Sequence, residues 1–111
     1  MSSAQRVAFF FVELLMQIFI DNSFGRDAKK LPDSVVAELN EIYKALEAAH
    51  SLGEVVYDIK KIEGHRKRKA FRLKLEKNRE YRIGFYLEGE SIVLSRILHR
   101  RDIYNSFPPK K

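Results

Sequence analysis

Three segments decide the fold: Ala70-Phe71-Arg72-Leu73-Lys74-Leu75, Tyr81-Arg82-Ile83-Gly84-Phe85-Tyr86-Leu87 and Ser91-Ile92-Val93-Leu94-Ser95-Arg96-Ile97-Leu98. In the first, apolar and basic residues alternate strictly. A strand's side chains alternate between faces, so Phe71, Leu73 and Leu75 share one face while Arg72 and Lys74 share the other. The second sets Tyr81, Ile83 and Phe85 against Arg82, Gly84 and Tyr86. Lys77-Asn78 and Glu88-Gly89-Glu90 supply the turns between segments. Hairpin-linked strands of this kind predict an antiparallel meander with one buried face.

On the C-terminal side, residues 102–107 predict a short helical turn stopped by Pro108-Pro109. On the N-terminal side, residues 64–69 predict a basic loop and residues 55–59 a short extended stretch. Further upstream Val35, Val36, Leu39, Ile42, Tyr43 and Leu46 recur at helical spacing, with Glu38, Glu41, Lys44 and Glu47 on the opposite face. Pro32 suits the first turn of this helix, and Gly53 lies past its end. Ser23 is expected to cap a shorter helix over residues 24–31, preceded by a strand over residues 16–24. Residues 16–108 therefore predict one α+β domain, a helical pair packed on a small antiparallel sheet. Residues 1–15 form an apolar appendage, and Met16 is an alternative start. The apolar run 7–20 contains Glu13 and Gln17 and is 14 residues long, short of the roughly 20 needed to span a bilayer. Neither a membrane anchor nor a signal peptide is expected.

A chain of 111 residues without cysteine is expected to hold no disulfide, thiol nucleophile or cysteine-based zinc site. This agrees with a cytoplasmic setting. His50, His65 and His99 are dispersed, without metal-ligand spacing, and no glycine-rich phosphate loop is present. Neither metal nor cofactor is expected. The net charge of +6 is divided unevenly: residues 1–55 hold five Lys/Arg against eight Asp/Glu, and residues 56–111 hold sixteen against seven. That imbalance points to a polyanionic partner for the C-terminal half.

Alternation places Arg72 and Lys74 on one strand face, with Arg82 beside them on the next strand. Cations brought this close repel one another, and a bound phosphate is stabilised among them. Arginine offers a planar fork for phosphate oxygens, and a lysine whose pKa is lowered by like charges can accept a proton. The same residues also serve simply as a solvated face. His99, Arg100 and Tyr104 follow the last strand. Histidine is the usual acid–base group near neutral pH, and a tyrosine can stack on a base or donate a proton. Their other reading is a strand-end histidine bound to backbone and a packing tyrosine. The run Arg66-Lys67-Arg68-Lys69 is a solvated loop able to steer a nucleic acid without specifying sequence.

Residues 16–108 resemble the RelE/ParE superfamily of type II toxins. The resemblance is carried by Ser23-Phe24-Gly25-Arg26-Asp27-Ala28-Lys29-Lys30-Leu31-Pro32, by Ala70 to Leu75, by Glu80-Tyr81-Arg82-Ile83-Gly84-Phe85, and by Leu98-His99-Arg100-Arg101-Asp102-Ile103-Tyr104. It implies a sheet flanked by an N-terminal helical pair. For the RelE-like branch it implies an mRNA interferase: ribosome-dependent endoribonuclease action without metal, in which the 2′-hydroxyl attacks the adjacent phosphodiester. Under it Arg72 and Lys74 match paired basic strand residues, and Arg82 matches a phosphate-binding arginine. Arg100 matches an arginine after the last strand, Tyr104 a tyrosine that stacks on a nucleobase, and His99 a place where some members use histidine. Catalysis thus falls to Lys74, Arg82, His99 and Arg100, with Arg72 and Tyr104 binding substrate. Arg72 stands where lysine is common, which moves the base role to Lys74 or His99. The implied partners are a cognate antitoxin, the ribosome and mRNA, with operator DNA reached only through the antitoxin complex and no membrane. The closing His-Arg-Arg-x-Ile-Tyr also occurs in ParE-type gyrase inhibitors, and an inactive antitoxin-binding module is the third reading.

A chain beginning at Met16 is expected to fold and keep its activity, with some loss of solubility if Phe9, Phe10, Phe11 and Leu14 cover an apolar patch. Thermal denaturation of the truncated chain checks this, and loss of a cooperative transition would contradict it.

Overall fold

The computed structural model describes residues 15–64 and 67–109. The appendage, apart from Leu15, and the loop residues His65 and Arg66 lie outside the described residues. Strand β1 (Gln17–Ile20) leads into α1 (Asn22–Ala28) and α2 (Asp33–Glu47). A short 3-10 turn (Leu52–Glu54) precedes β2 (Asp58–Ile62), β3 (Lys69–Lys74), β4 (Tyr81–Glu88) and β5 (Ser91–His99), and α3 (Arg100–Ser106) closes the fold. The sheet order is β1-β5-β4-β3-β2. The meander is antiparallel as expected, and the architecture is α+β with the helical pair on one side of the sheet. Among the described residues no helix is long and apolar enough to cross a membrane.

Several local expectations are revised. β1 runs parallel to β5, pairing Gln17 with Ser91 through Ile20 with Leu94. It is shorter than residues 16–24 because the chain turns at Asp21, whose N–H still reaches the Leu94 carbonyl (2.9 Å), and enters α1. Ser23 does not cap that helix. It lies inside it, and its hydroxyl donates to the Ser95 carbonyl (2.6 Å). Pro32 occupies the N-cap of α2 rather than its first turn. Helix α2 stops at Glu47, and Gly53 falls within the 3-10 turn instead of marking the helix end. Helix α3 begins two residues earlier than expected, at Arg100.

The sheet buries residues on both faces. Against the helical pair, Leu73, Leu75, Ile83, Phe85, Ile92, Leu94 and Ile97 join Phe24, Val35, Ile42 and Leu46. On the opposite face a smaller cluster of Ala70, Tyr86, Val93, Ile103 and Phe107 forms beneath α3. The first face matches the apolar register of the strands. The second was hidden because its apolar members sit at one end of the strands and basic residues at the other. Phe107 packs onto the backbone of Gly84, where any Cβ would overlap its ring.

Two carboxylates lock the helical pair to the sheet. Beyond Leu94, β5 has no strand on its β1 side, and α1 fills the gap. Asp27 accepts from the Ile97 N–H (3.1 Å) and takes a two-point bond from Arg96 (2.7 and 3.1 Å). That contact holds the Arg96 guanidinium above its usual pKa. Glu38 is the second. Helical spacing placed it on the solvent face, but it is 1% exposed. Its carboxylate accepts from the backbone N–H groups of Glu76 (2.7 Å), Lys77 (3.0 Å) and Asn78 (2.9 Å), and from the Asn78 amide (2.9 Å). These are the turn residues between β3 and β4. Burial pushes the Glu38 carboxyl up in pKa, and the bonds from Lys77, Asn78 and Glu76 outweigh it and bring the group below its usual value.

A group whose pKa is depressed on folding adds stability above its unfolded value, and loses it as pH falls through the folded value. Glu38→Gln is expected to destabilise the protein at neutral pH by about 2–3 kcal/mol, because hydrogen bonds to a buried charge are worth about 1.5–3 kcal/mol and the amide brings donors against donors. Wild type should lose more stability than the variant as pH falls below about 4.5, the usual glutamate value. Chemical denaturation at several pH values measures both, and parallel pH profiles would contradict the assignment.

Candidate active site

Strand register assembles the site. Lys74 pairs with Arg82, and Arg72 pairs with Gly84. On the other side Lys60 pairs with Arg72, and Asp58 pairs with Lys74. All these side chains lie on the face that also carries Ala70 and Tyr86. At the Ala70 end that face is roofed by α3. At the Lys74 end it is open, forming a cleft of about 160 Å³ lined by Asp58, Lys60, Arg72, Lys74, Arg82 and Tyr104. Arg72, Lys74 and Arg82 are half-buried, whereas Asp58 and Lys60 are exposed.

The turn held by Glu38 lies between Lys74 and Arg82, so the clamp on one face fixes the spacing of the two cations on the other. Arg82 is also tied down directly. Its Nη1 donates to the carbonyls of Arg79 (2.6 Å) and Tyr81 (3.1 Å). Helix α3 brings in Tyr104, 52% exposed, with the Arg72 guanidinium 4.5 Å from its ring centroid. A cation at that distance is attracted by the ring's quadrupole, and the pair forms a ready wall for a flat ligand. Directly opposed like charges are destabilising in a sheet. Lys74–Arg82 and Lys60–Arg72 are two such pairs in one cleft, and among the described residues none of these four cations is ion-paired.

Arg72, Lys74, Arg82 and Tyr104 are thus brought together. His99 and Arg100 do not line the cleft. His99 pairs with Tyr81 across the strands, one position beyond the Arg82–Leu98 pair, and its ring meets Tyr81 edge-on at 5.7 Å. Its Nε2 lies 2.9 Å from Glu80, and its Nδ1 accepts from the Arg101 N–H (3.1 Å), which caps α3. The contact with His99, followed by the charges of His99, Arg100 and Arg101, holds the Glu80 carboxyl below its usual value. Arg100 is exposed at the start of α3, and its N–H donates to the Glu80 carbonyl (2.7 Å).

Of the basic run 66–69, Arg66 lies outside the described residues. Arg68 stacks over Tyr86 (3.6 Å to the centroid) and bonds to Glu88 (2.6 Å), so part of its charge is already matched. Burial pushes the Tyr86 phenol up in pKa. Asp58 and Lys60 are the site residues that sequence reasoning missed. The usable signal was the alternation of Asp58, Lys60 and Ile62 on one face of a strand. Among the described residues no group of three or more His, Asp or Glu is placed to hold a metal ion.

No family model matches the sequence. It is similar to Toxin RelE3 from Methanocaldococcus jannaschii, with 31% identity over 93 residues, covering 84% of this chain and all of that protein. The fold is similar to a chain in the crystal structure of the RelB–RelE antitoxin–toxin complex from Methanococcus jannaschii. The TM-score is 0.67 and the identity 30%, over 81% of this chain and 99% of that one. With the whole length of a RelE toxin matched in sequence and nearly the whole length of a chain matched in fold, this chain belongs to the RelE toxin family of the RelE/ParE superfamily.

Proposed function

We propose that the chain is the toxin of a type II toxin–antitoxin system, and that it cleaves mRNA on the ribosome by attack of a 2′-hydroxyl on the adjacent phosphodiester. The observation that carries this reading is the open half of the second sheet face. There, among the described residues, Arg72, Lys74 and Arg82 converge without ion-pair partners, beside an exposed aromatic ring. Gyrase inhibition needs no such convergence, and an inactive binding module has no use for the like-charge repulsion that it costs. Metal-free phosphoryl transfer must stabilise the developing charge with side chains. Arg82, held by two backbone carbonyls, is pre-oriented for that task. Arg72 and Tyr104 form the wall that binds the nucleotide, with Tyr104 stacking on a base and Arg72 contacting phosphate. Arg100, at the start of the helix that carries Tyr104, is placed for a more distant phosphate contact. His99 serves by capping that helix. The setting is the cytoplasm, where translating ribosomes are the target.

The silent partner is a cognate antitoxin like the one named with the matched complex, and operator DNA is reached through it. A cleft lined by four cations calls for an acidic segment to mask it. Antitoxin affinity should therefore fall as salt rises, measured by titration calorimetry between low and high ionic strength. Salt-insensitive affinity would contradict the electrostatic masking.

Arg82→Ala is expected to reduce single-turnover cleavage on mRNA-programmed ribosomes about a hundred- to thousand-fold, the typical effect of losing one transition-state donor. Thermal stability should change little, because the side chain points away from the main core, and ribosome binding should be largely kept. Replacing residues 66–69 with alanine should do the reverse, weakening binding and flattening its salt dependence. A folded Arg82→Ala protein that poisons growth as fully as wild type would transfer the activity to the gyrase reading.

A further inference from the structure

Apolar surface stays uncovered at the β1 edge of the sheet, where β1 is the outermost strand. A trough runs between β1 and α2. One end is lined by Leu15, Phe19, Tyr43 and Glu47. The other is a pocket of about 200 Å³ that reaches in to α1 and is lined by Ile20, Val36, Leu39 and Tyr43, among others. Tyr43 is common to both ends, so the trough is continuous along the strand. Among the described residues five large apolar or aromatic side chains are exposed, and three of them lie here: Phe19 (53%), Ile20 (53%) and Val36 (36%). Ile18 packs with the core under the helical pair, and alternation returns Ile20 to that face. Phe19 pairs with Val93 and points to the other face. The apolar surface therefore wraps around the outer edge of β1.

A contiguous apolar patch marks a contact surface, and the chain carries its own match for this one. Residues 7–14 read Val-Ala-Phe-Phe-Phe-Val-Glu-Leu, seven of eight apolar. The segment lies outside the described residues and joins them at Leu15, which lines the trough. The backbone bends at Leu15, and the Met16 N–H is fixed to the Ala49 carbonyl (3.2 Å). The root of the segment is thus anchored at the trough's mouth. Its reach is sufficient, since the four residues of β1 span about 13 Å and eight residues extend to about 26 Å. The relative matched over its whole length accounts for 93 of the 111 residues, which leaves sequence for a task of this chain's own. We infer that residues 7–14 fold back along β1 and occupy the trough between β1 and α2, covering Ile20, Val36 and Phe19 of the same molecule.

The tether decides the occupant. A segment joined to the trough by a short linker meets it at an effective concentration of about millimolar, far above that of a second copy in a micromolar solution. Burial of Phe9, Phe10 and Phe11 drives the contact, and Glu13 is the one charge in the segment. A partner chain that binds the trough more strongly displaces the cover. The trough lies at the β1 edge, across the sheet from the cleft built on β2, β3 and β4. Covering it leaves that cleft open, so the cover acts on what docks at the β1 edge and not on RNA.

The absence of cysteine makes the contact directly testable. In the full-length chain, Ala8→Cys, Phe9→Cys, Phe10→Cys, Phe11→Cys and Val12→Cys are each combined with Val36→Cys, and in control chains with Val56→Cys. Val56 is 86% exposed just before β2, at the far edge of the sheet. Val36 and Val56 are both at the surface, so their replacement should leave the melting temperature close to that of wild type. Mild oxidation is expected to form a disulfide within one chain at one or more positions with Val36→Cys, about tenfold or more faster than with Val56→Cys, the advantage of a tethered contact. A second readout is independent of disulfide geometry. The rate at which a thiol reagent labels Ile20→Cys should rise severalfold when Phe9→Ser, Phe10→Ser and Phe11→Ser are introduced together, with the rate for Val56→Cys unchanged. Disulfides that form mainly between two chains would overturn the proposal in favour of a second copy. Bonding no faster than the control at every position would also overturn it, as would an Ile20→Cys labelling rate that the serine replacements leave unchanged. Either result would assign the trough to a partner chain.

Discussion

The ring of Phe107 rests on the bare backbone of Gly84, and the geometry of the site depends on that contact. It anchors the C-cap of α3 over the middle of β4, so that α3 covers Ala70, Tyr86 and Val93 and leaves the next row of the sheet open. Tyr104 lies one helical turn before Phe107 and is thereby set at the mouth of the open row. Arg72 is the cross-strand partner of Gly84. The space left by the missing side chain admits Phe107 from one side, and Arg72 turns toward Tyr104 on the other. Burying a phenylalanine side chain is worth about 1.5–3 kcal/mol. One small residue therefore couples the stability of α3 to the construction of the cleft.

The two sheet faces divide the work of the protein. The helical-pair face supplies most of the apolar burial, along with the buried carboxylate of Glu38 and the Asp27–Arg96 pair that hold α2 and α1 in place. The other face carries like charges opposite one another, an arrangement that lowers stability. It persists because the strands bearing Lys74 and Arg82 are fixed from behind by the Glu38 clamp on their connecting turn. On the proposed reading, a phosphodiester entering this cleft would relieve that repulsion.

The sequence made the meander legible because β3 and β4 alternate without interruption, and the same alternation put Arg72, Lys74 and Arg82 on one face. Glu38 was misplaced because helical spacing assigns a face, and a glutamate can lie on the border and reach under a turn. Pairing β1 in parallel with β5 needs a contact between residues more than seventy positions apart, which local pattern cannot reveal. β2 was only partly visible. Asp58, Lys60 and Lys61 mask its alternation with charge, and so the carboxylate of the cleft went unnoticed. The orientation of His99 turned on strand length. Extending β5 by one residue carries His99 to the face opposite Leu98, toward Tyr81 and Glu80. Resemblance to a family supplied the candidate roles, and register decided which of those side chains meet.

The central claim is that an RNA backbone is cut within the cationic half of the second sheet face by internal attack. The most direct measurement is the chemistry of the cut ends on mRNA bound to purified translating ribosomes, with the toxin freed from its antitoxin. The account predicts fragments bearing 2′,3′-cyclic phosphate and 5′-hydroxyl termini, absent when the ribose at the cleavage position is replaced by deoxyribose. Intact mRNA, or fragments with 5′-phosphate and 3′-hydroxyl ends, would contradict it.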